Sequence, residues 1–197
     1  VSVVKISGDN IEVVATEGVS KLGGDDFDRA LREIIKTKYK SISGLEVSDR
    51  KIPLAKVVEM KIKLSNRETA KFLVEDEIVE VLRAEFEAAI SSLIHQTEML
   101  CESVLDEAKL SLSEIKNVLL AGGSTRIPAI GRSIKKVFKQ EPVSSVNVDE
   151  VVALGAALYA ALKSSGEHLS ASQSASIEKL TLSEISTYYF VCKYVQF

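Results

Sequence analysis

The sequence predicts an α/β fold: a mixed sheet with flanking helices that carries an inserted α+β subdomain. Three observations predict it. Residues 1–6 and 11–16 are β-rich runs around Ser7-Gly8-Asp9-Asn10, which reads as a hairpin. Residues 117–120 form a short apolar run that leads into Gly122-Gly123 and then a helix start. Between these lies a mostly helical stretch with a strand pair of its own. The hairpin and the 117–120 run are expected to share one sheet, with residues 22–109 inserted into it.

Composition bounds the function classes. The 197 residues are 46% hydrophobic and 27% charged, enough for one sizeable core or two small ones. A net charge of -3 does not suggest a nucleic-acid binder. The longest apolar run, residues 151–162, is too short and too rich in Ala and Gly to span a membrane. Cys101 and Cys192 lie far apart, with no disulfide or metal spacing, so a reducing, cytoplasmic setting is expected. Cys101 falls on a helical apolar stripe and is expected in the core. His95 and His168 have no second ligand at metal spacing, and no metal site is expected within this chain. The chain opens on Val1 with no Met, as expected for a piece of a longer protein.

The elements follow in order. Residues 16–24 read as a loop, and Asp25 and Asp26 are placed to cap the helix that follows, whose face carries Phe27, Leu31, Ile34 and Ile35. Residues 41–50 read as a loop and 54–65 as a second helix. Residues 69–75 and 77–81 read as two strands with Asp76 near the turn. One long helix is expected over 83–109, with Phe86, Ile90, Leu93, Leu100, Val104 and Ala108 as its core stripe. After the glycine pair, residues 127–138 and 149–162 read as helices. Ser124 or Thr125 is placed to cap the first, Pro128 suits its first turn, and Asp149 stands at the start of the second. Residues 164–176 are rich in Ser and Ala and read as a linker. Residues 180–197 turn apolar and aromatic and read as one or two strands of a further domain.

A strand, a glycine pair and a helix start make a common nucleotide-binding corner, though the same residues also suit an ordinary turn. Four segments decide between these readings. Leu120-Ala121-Gly122-Gly123-Ser124-Thr125-Arg126-Ile127-Pro128 resembles the adenosine motif of the 70-kilodalton heat-shock (DnaK-type) chaperone family. Leu22-Gly23-Gly24-Asp25-Asp26-Phe27-Asp28 resembles its LGG(E/D)DFD segment, and Lys61-Ile62-Lys63-Leu64-Ser65 its K-(R/I)-x-L-S helix. Residues 147–157, NVDEVVALGAA, resemble its NPDEAVAxGAA segment. Leu82-Arg83-Ala84-Glu85-Phe86-Glu87 is also similar to the start of the family's long helix. The motifs keep the family's order, and the likeness covers residues 1 to about 162.

The resemblance implies an actin-like ATPase (ribonuclease H-like) fold, of which this chain is the second lobe. Residues 1–21 and 110–163 would be subdomain IIA and residues 22–109 subdomain IIB. Residues 164–179 would be the interdomain linker, and 180–197 the start of a truncated peptide-binding domain. It implies that ATP or ADP binds with its adenosine end between the Lys61–Ser65 helix and the glycine corner. Gly122 and Gly123 would let the backbone pass close to ribose and α-phosphate. Ser124 belongs to the same corner. Arg126 would stack on adenine, Lys61 and Ser65 would offer donors to ribose and base, and Ile127 would pack beside the base. Asp149 would back that wall, and Gly24 would approach from IIB. Without the resemblance, Lys61 reads as solvated surface, Ser65 as a helix end, Asp149 as a cap and Gly24 as a turn residue.

Two departures stand out. The family's ribose-contacting Glu is Val58 here, and the NPDE proline is Val148. Phosphoryl transfer needs positioned phosphates, a metal and an oriented water. In the family these come from a phosphate loop before the position of Val1 and from the first lobe. This chain alone is therefore expected not to hydrolyse ATP and to hold no catalytic residue, with Mg2+ bound only in the intact two-lobe site. The implied partners are the first lobe, the peptide-binding domain, a nucleotide-exchange factor docking on IIB, J-domain co-chaperones and unfolded polypeptides. Two other function classes compete: a non-hydrolysing regulator or scaffold, favoured by Val58 and an unusual linker, and a filament-forming actin relative, which the glycine corner and the Lys61–Ser65 helix argue against.

Overall fold

A computed structural model describes residues 1–7, 10–20, 22–143, 147–163, 170, 172 and 188–194. The opening hairpin forms as expected: β1 (Ser2–Ser7) pairs antiparallel with β2 (Asn10–Thr16). Residues 8 and 9 of its turn lie outside the described residues. Helix α1 (Gly24–Ser43) follows, and of the two candidate caps only Asp26 acts, its Oδ2 accepting from Gly23 N–H at 2.9 Å. The helix runs past the expected loop at 41 and stops at Gly44, whose φ of 73° is the left-handed geometry that closes helices.

Helix α2 (Leu54–Asn66) and the hairpin β3 (Thr69–Val74) with β4 (Glu77–Leu82) complete the insert. Side chains alternate along β3, so Ala70, Phe72 and Val74 are buried while Leu73 is 66% exposed. Val79 and Val81 of β4 join them beneath α1 and α2. Burying each large side chain here is worth about 1.5–3 kcal/mol.

The long helix expected over 83–109 is two helices. Helix α3 (Arg83–Ala89) ends at Ile90, and α4 (Ser91–Ala108) starts directly after it. Ile90 is fully buried and leaves the helical ψ range, at about 3°, and Ser91 Oγ donates back to Ala88 O at 2.7 Å. The buried stripe runs on through the junction as Phe86, Ile90, Ile94, Thr97, Cys101 and Val104, one helical period throughout, so the expected Leu93 and Ala108 lie beside it and are only partly buried. Cys101 is buried, as its stripe position predicts.

Strand β5 (Ile115–Ala121) leads through a 3-10 turn, Gly123–Arg126, into α5 (Pro128–Phe138). The turn displaces the expected caps. Thr125 Oγ1 donates to Gly122 O at 2.7 Å instead, and Ile127 is the residue before the helix, with Pro128 in the first turn. Helix α6 (Val151–Lys163) begins two residues later than expected. Asn147 accepts at its start, from Asp149 N–H and Val151 N–H, so Asp149 is not the cap.

Tyr188–Tyr194, expected at the opening of a further domain, forms β6 within the first sheet. The order is β2-β1-β6-β5, with β6 antiparallel to β1 and parallel to β5. This aromatic and β-branched run suits a strand, and β1 and β5 both present backbone to it. The rest of 164–197 lies outside the described residues, apart from 170 and 172. Helix α4 packs on β1 and β2, and α5 packs on α4.

Glu98 fastens α4 to α5. Its carboxylate accepts from Ser133 Oγ at 3.0 Å and Lys136 Nζ at 3.2 Å, and His95 Nδ1 lies 3.1 Å away. Burial pushes this carboxyl up, but the hydrogen bonds from His95, Ser133 and Lys136, with the Lys136 charge, hold it below the ordinary glutamate value. The native state therefore holds its proton less tightly than the unfolded chain. The clamp is fully present above the unfolded value and is lost as pH falls through the folded one. Glu98→Gln should cost about 1–2 kcal/mol at neutral pH and flatten the acid limb of stability, measured by urea unfolding between pH 7 and pH 3.

Candidate functional site

Helix α2 and the glycine corner face each other across a cavity of about 280 Å3. Its walls are Val58, Lys61, Ile62, Ser65 and Asn66 on one side, and Gly123, Ser124, Arg126, Ile127 and Asp149 on the other. Of the residues that the sequence singles out, Lys61, Ser65, Gly123, Ser124, Arg126, Ile127 and Asp149 line this one cavity. Gly24 and Gly122 stand behind the lining. Gly122 has a φ of 90°, a geometry favouring glycine, and its N–H donates to Val148 O at 2.9 Å, closing the corner against the segment before α6.

Lys61 is no surface lysine. It is 9% exposed, and Asp28 beside it is 2% exposed. The ammonium sits 2.8 Å from Asp28 Oδ1, 3.0 Å from Oδ2, and donates to Gly24 O at 3.3 Å. Burial raises the Asp28 carboxyl above its ordinary range, while the Lys61 hydrogen bond and charge pull it part of the way back. With carboxylate and carbonyl each taking one N–H, the ammonium keeps a third donor at the cavity wall. Gly24 meets the cavity-lining Lys61 through its carbonyl oxygen.

The Ser65 hydroxyl donates to Lys61 O at 3.2 Å, which leaves its oxygen as an acceptor on a residue of the cavity lining. Asn66 Nδ2 donates one of its two N–H groups to Ile62 O at 3.2 Å, which leaves the other N–H and the carbonyl oxygen for further bonds. On the opposite wall Arg126 forms an ion pair with Asp149. The pair is about half exposed, so it adds little stability.

Charge decides what the cavity can hold. Both cations are matched by carboxylates, Lys61 by Asp28 and Arg126 by Asp149. The walls combine a flat cation, an ammonium, a serine hydroxyl, an asparagine amide and the apolar Val58, Ile62 and Ile127. That chemistry fits a flat, uncharged, heteroatom-rich ligand better than a polyphosphate. Among the described residues, no three carboxylate, imidazole or thiol groups converge as a metal site. Val58, Asn66 and Asp28 were not among the predicted site residues. Asp28 carried a signal: with Leu31, Ile35 and Tyr39 it shares one helical stripe, and an acid on a buried stripe calls for a buried cation. Elsewhere, an open hollow of about 420 Å3 lies between α4 and α5, lined by Glu87, His95, Glu98 and Arg132 among others.

The fold and cavity define an α/β protein with a ligand-sized cleft at the carboxyl end of a sheet strand. Comparison with known proteins gives the family. The family model described as Hsp70 protein matches residues 1–188. The chain is 37% identical over 158 residues to the chaperone protein HscA of Buchnera aphidicola subsp. Schizaphis graminum, covering 80% of this chain and 26% of that protein. It is 34% identical over 172 residues to the mitochondrial 70 kDa heat shock protein of Pisum sativum, with 80% and 26% covered. An HscA homolog of Acinetobacter baylyi is 39% identical over 160 residues, with 81% and 26% covered. The chain therefore belongs to the Hsp70 family, and membership carries the actin-like ATPase fold and a chaperone nucleotide-binding region. It spans about a quarter of the length of these relatives. No helix among the described residues is long and apolar enough to cross a membrane.

The buried pair gives a stability prediction. Asp28→Asn strands a buried ammonium and should cost about 3–5 kcal/mol in denaturant unfolding. Replacing both partners, Asp28→Leu with Lys61→Met, should recover most of that loss, because no charge is then left buried alone.

Proposed function

We propose that the chain is the second lobe of an Hsp70 nucleotide-binding domain and holds the adenosine end of ATP or ADP. The observation that carries this reading is the charge balance of the cavity between α2 and the glycine corner. Both of its cations are already paired, so the cavity suits base and ribose, while the phosphates would extend beyond it. Adenine would lie against the Arg126 guanidinium, with Ile127 and Ile62 as apolar contacts. The third Lys61 N–H would reach the ribose, and the Ser65 and Asn66 oxygens would accept from the exocyclic amine. Gly122, Gly123 and Ser124 would shape the passage toward the α-phosphate.

In this reading residues 1–21 and 110–163 are subdomain IIA, residues 22–109 are IIB, and residues 164–179 connect onward. IIB would offer the docking surface for a nucleotide-exchange factor, whose rotation of IIB would open the cavity. The first lobe would supply the water-positioning groups and, with the phosphates, the Mg2+ site. Val152, Leu154 and Tyr159 of α6 are more than half exposed, which supports a further packing partner on that side. The peptide-binding domain, J-domain co-chaperones, unfolded polypeptides and a reducing, cytoplasmic setting complete the proposal. This chain alone would bind without turning over ATP.

A second reading rests on Val58. A valine in the cavity wall brings no acceptor for the ribose hydroxyls, which favours a weakly binding relative that acts as a regulator or scaffold.

Calorimetric titration separates these readings. Adenosine and ADP should bind within about tenfold of each other, and Arg126→Ala should weaken both by roughly 3- to 30-fold, the loss of one cation–π contact. Absence of binding by either ligand would favour the regulator. Tight ADP binding with no adenosine binding would assign the cavity to phosphate and overturn the proposal.

A further inference from the structure

Helix α2 carries two apolar rows, and the core uses only one. Val57, Met60 and Leu64 are buried beneath the helix, together with Lys61. Leu54, Val58 and Ile62 follow one another at intervals of four on an adjoining face. Leu54 and Ile62 are exposed, and Val58 is half-buried. Val58 and Ile62 both line the cavity. An apolar row that the core leaves free and that lines a cleft is a contact surface for a ligand.

The polar groups of the same helix are not spread evenly along it. Ser65 and Asn66 stand at its C-terminal turn, and each keeps an oxygen that can accept. Lys61 stands one turn earlier, and its ammonium can only donate. Val58 stands about 4.5 Å further toward the N-terminus and brings only methyl groups to the wall. The rise from Val58 to Ser65 is about 10.5 Å, room for a base and its sugar laid along the helix. On the facing wall the Asp149 carboxylate is engaged by Arg126.

On the nucleotide reading above, on which this inference rests, the Ser65–Asn66 end takes the amine of the base and Lys61 takes the ribose. The outer edge of the sugar then falls against Val58. A ring hydroxyl of ribose needs an acceptor for its proton as well as a donor for its oxygen. Lys61 supplies a donor, but Val58 supplies no acceptor. A hydroxyl turned to that side leaves water and gains nothing for the bond that it gave up. We infer that Val58 is the specificity-determining residue of the cavity, and that it selects adenine nucleosides and nucleotides whose sugar edge lacks hydroxyls over the ribose forms. Specificity is a difference between two affinities, and here the apolar wall creates it by penalising the hydroxyl.

Calorimetric titration of the full chain tests this with two probes: adenosine, and dideoxyadenosine, which lacks both ring hydroxyls. Dideoxyadenosine should bind about 3- to 10-fold tighter, the modest bias that an apolar wall sets against an added hydroxyl. Val58→Gln puts an amide oxygen at that place without adding charge, and glutamine suits a helix. It should tighten adenosine by about 3- to 10-fold and leave dideoxyadenosine within about twofold, so that the order inverts. Val58→Ala is the control, since trimming the wall without adding an acceptor should leave dideoxyadenosine ahead. Damage to the fold would move both ligands together, so the ratio of the two affinities is the readout. Adenosine binding the unaltered chain as tightly as dideoxyadenosine, or an order that Val58→Gln does not invert, overturns the inference and leaves the nucleotide reading standing. Binding of neither probe, or binding that Arg126→Ala does not weaken, overturns the nucleotide reading and the inference with it.

Discussion

The pairing of Asp28 with Lys61 is the interaction on which the insert and the cavity both depend. It joins the first turns of α1 to the middle of α2, two elements far apart in sequence, and it does so out of water. Two buried charges cost several kcal/mol each in desolvation, and only close mutual contact with further hydrogen bonds offsets that. Gly24 supplies one such bond through its carbonyl. The pair therefore contributes position more than net stability. It holds Lys61 at the cavity wall with one donor in reserve and sets α2 at a fixed distance from the glycine corner.

The other wall follows a different logic. Gly122 takes a left-handed φ and hands its N–H to Val148, so the chain leaving β5 is held against the chain entering α6. The 3-10 turn then aims Arg126 at Asp149, which lies on that incoming segment. One wall is thus built by burying a charge pair and the other by closing a loop around an exposed one. The result is a cavity with charges of both signs and no surplus of either, a condition that favours a neutral heterocycle with its sugar.

Much of this was legible in the sequence, for physical reasons. The 2-residue period of β3, the cap at Asp26 and the apolar stripes of α1 and α2 are local signals, and local physics made those elements. The motifs brought Lys61, Ser65, Gly123, Ser124, Arg126, Ile127 and Asp149 to one cavity. What was not legible depends on contacts distant in sequence. The junction at Ile90 leaves no mark in the apolar pattern, because helical periodicity continues through it from Phe86 to Val104. The 3-10 turn hides inside a good helix-start signature. The Ser65 hydroxyl gives its proton to a carbonyl one turn back, a local bond that the motif does not announce. The place of β6 follows from two strands that each lack a neighbour, which no window of sequence around residues 188–194 reveals. Asp28 and Lys61 are the instructive case. Each is an ionised residue on an apolar stripe, and reading the two stripes together points to the pair.

The central claim is that the cavity between α2 and the glycine corner is a site for the neutral end of a nucleotide. The most direct measurement is a backbone amide shift map of the isotope-labelled full chain titrated with adenosine. The account predicts that the largest shifts fall at residues 58–66 and 122–127, with the α4–α5 hollow around His95 and Ser133 silent. Shifts centred on that hollow, with none at the glycine corner, would contradict it.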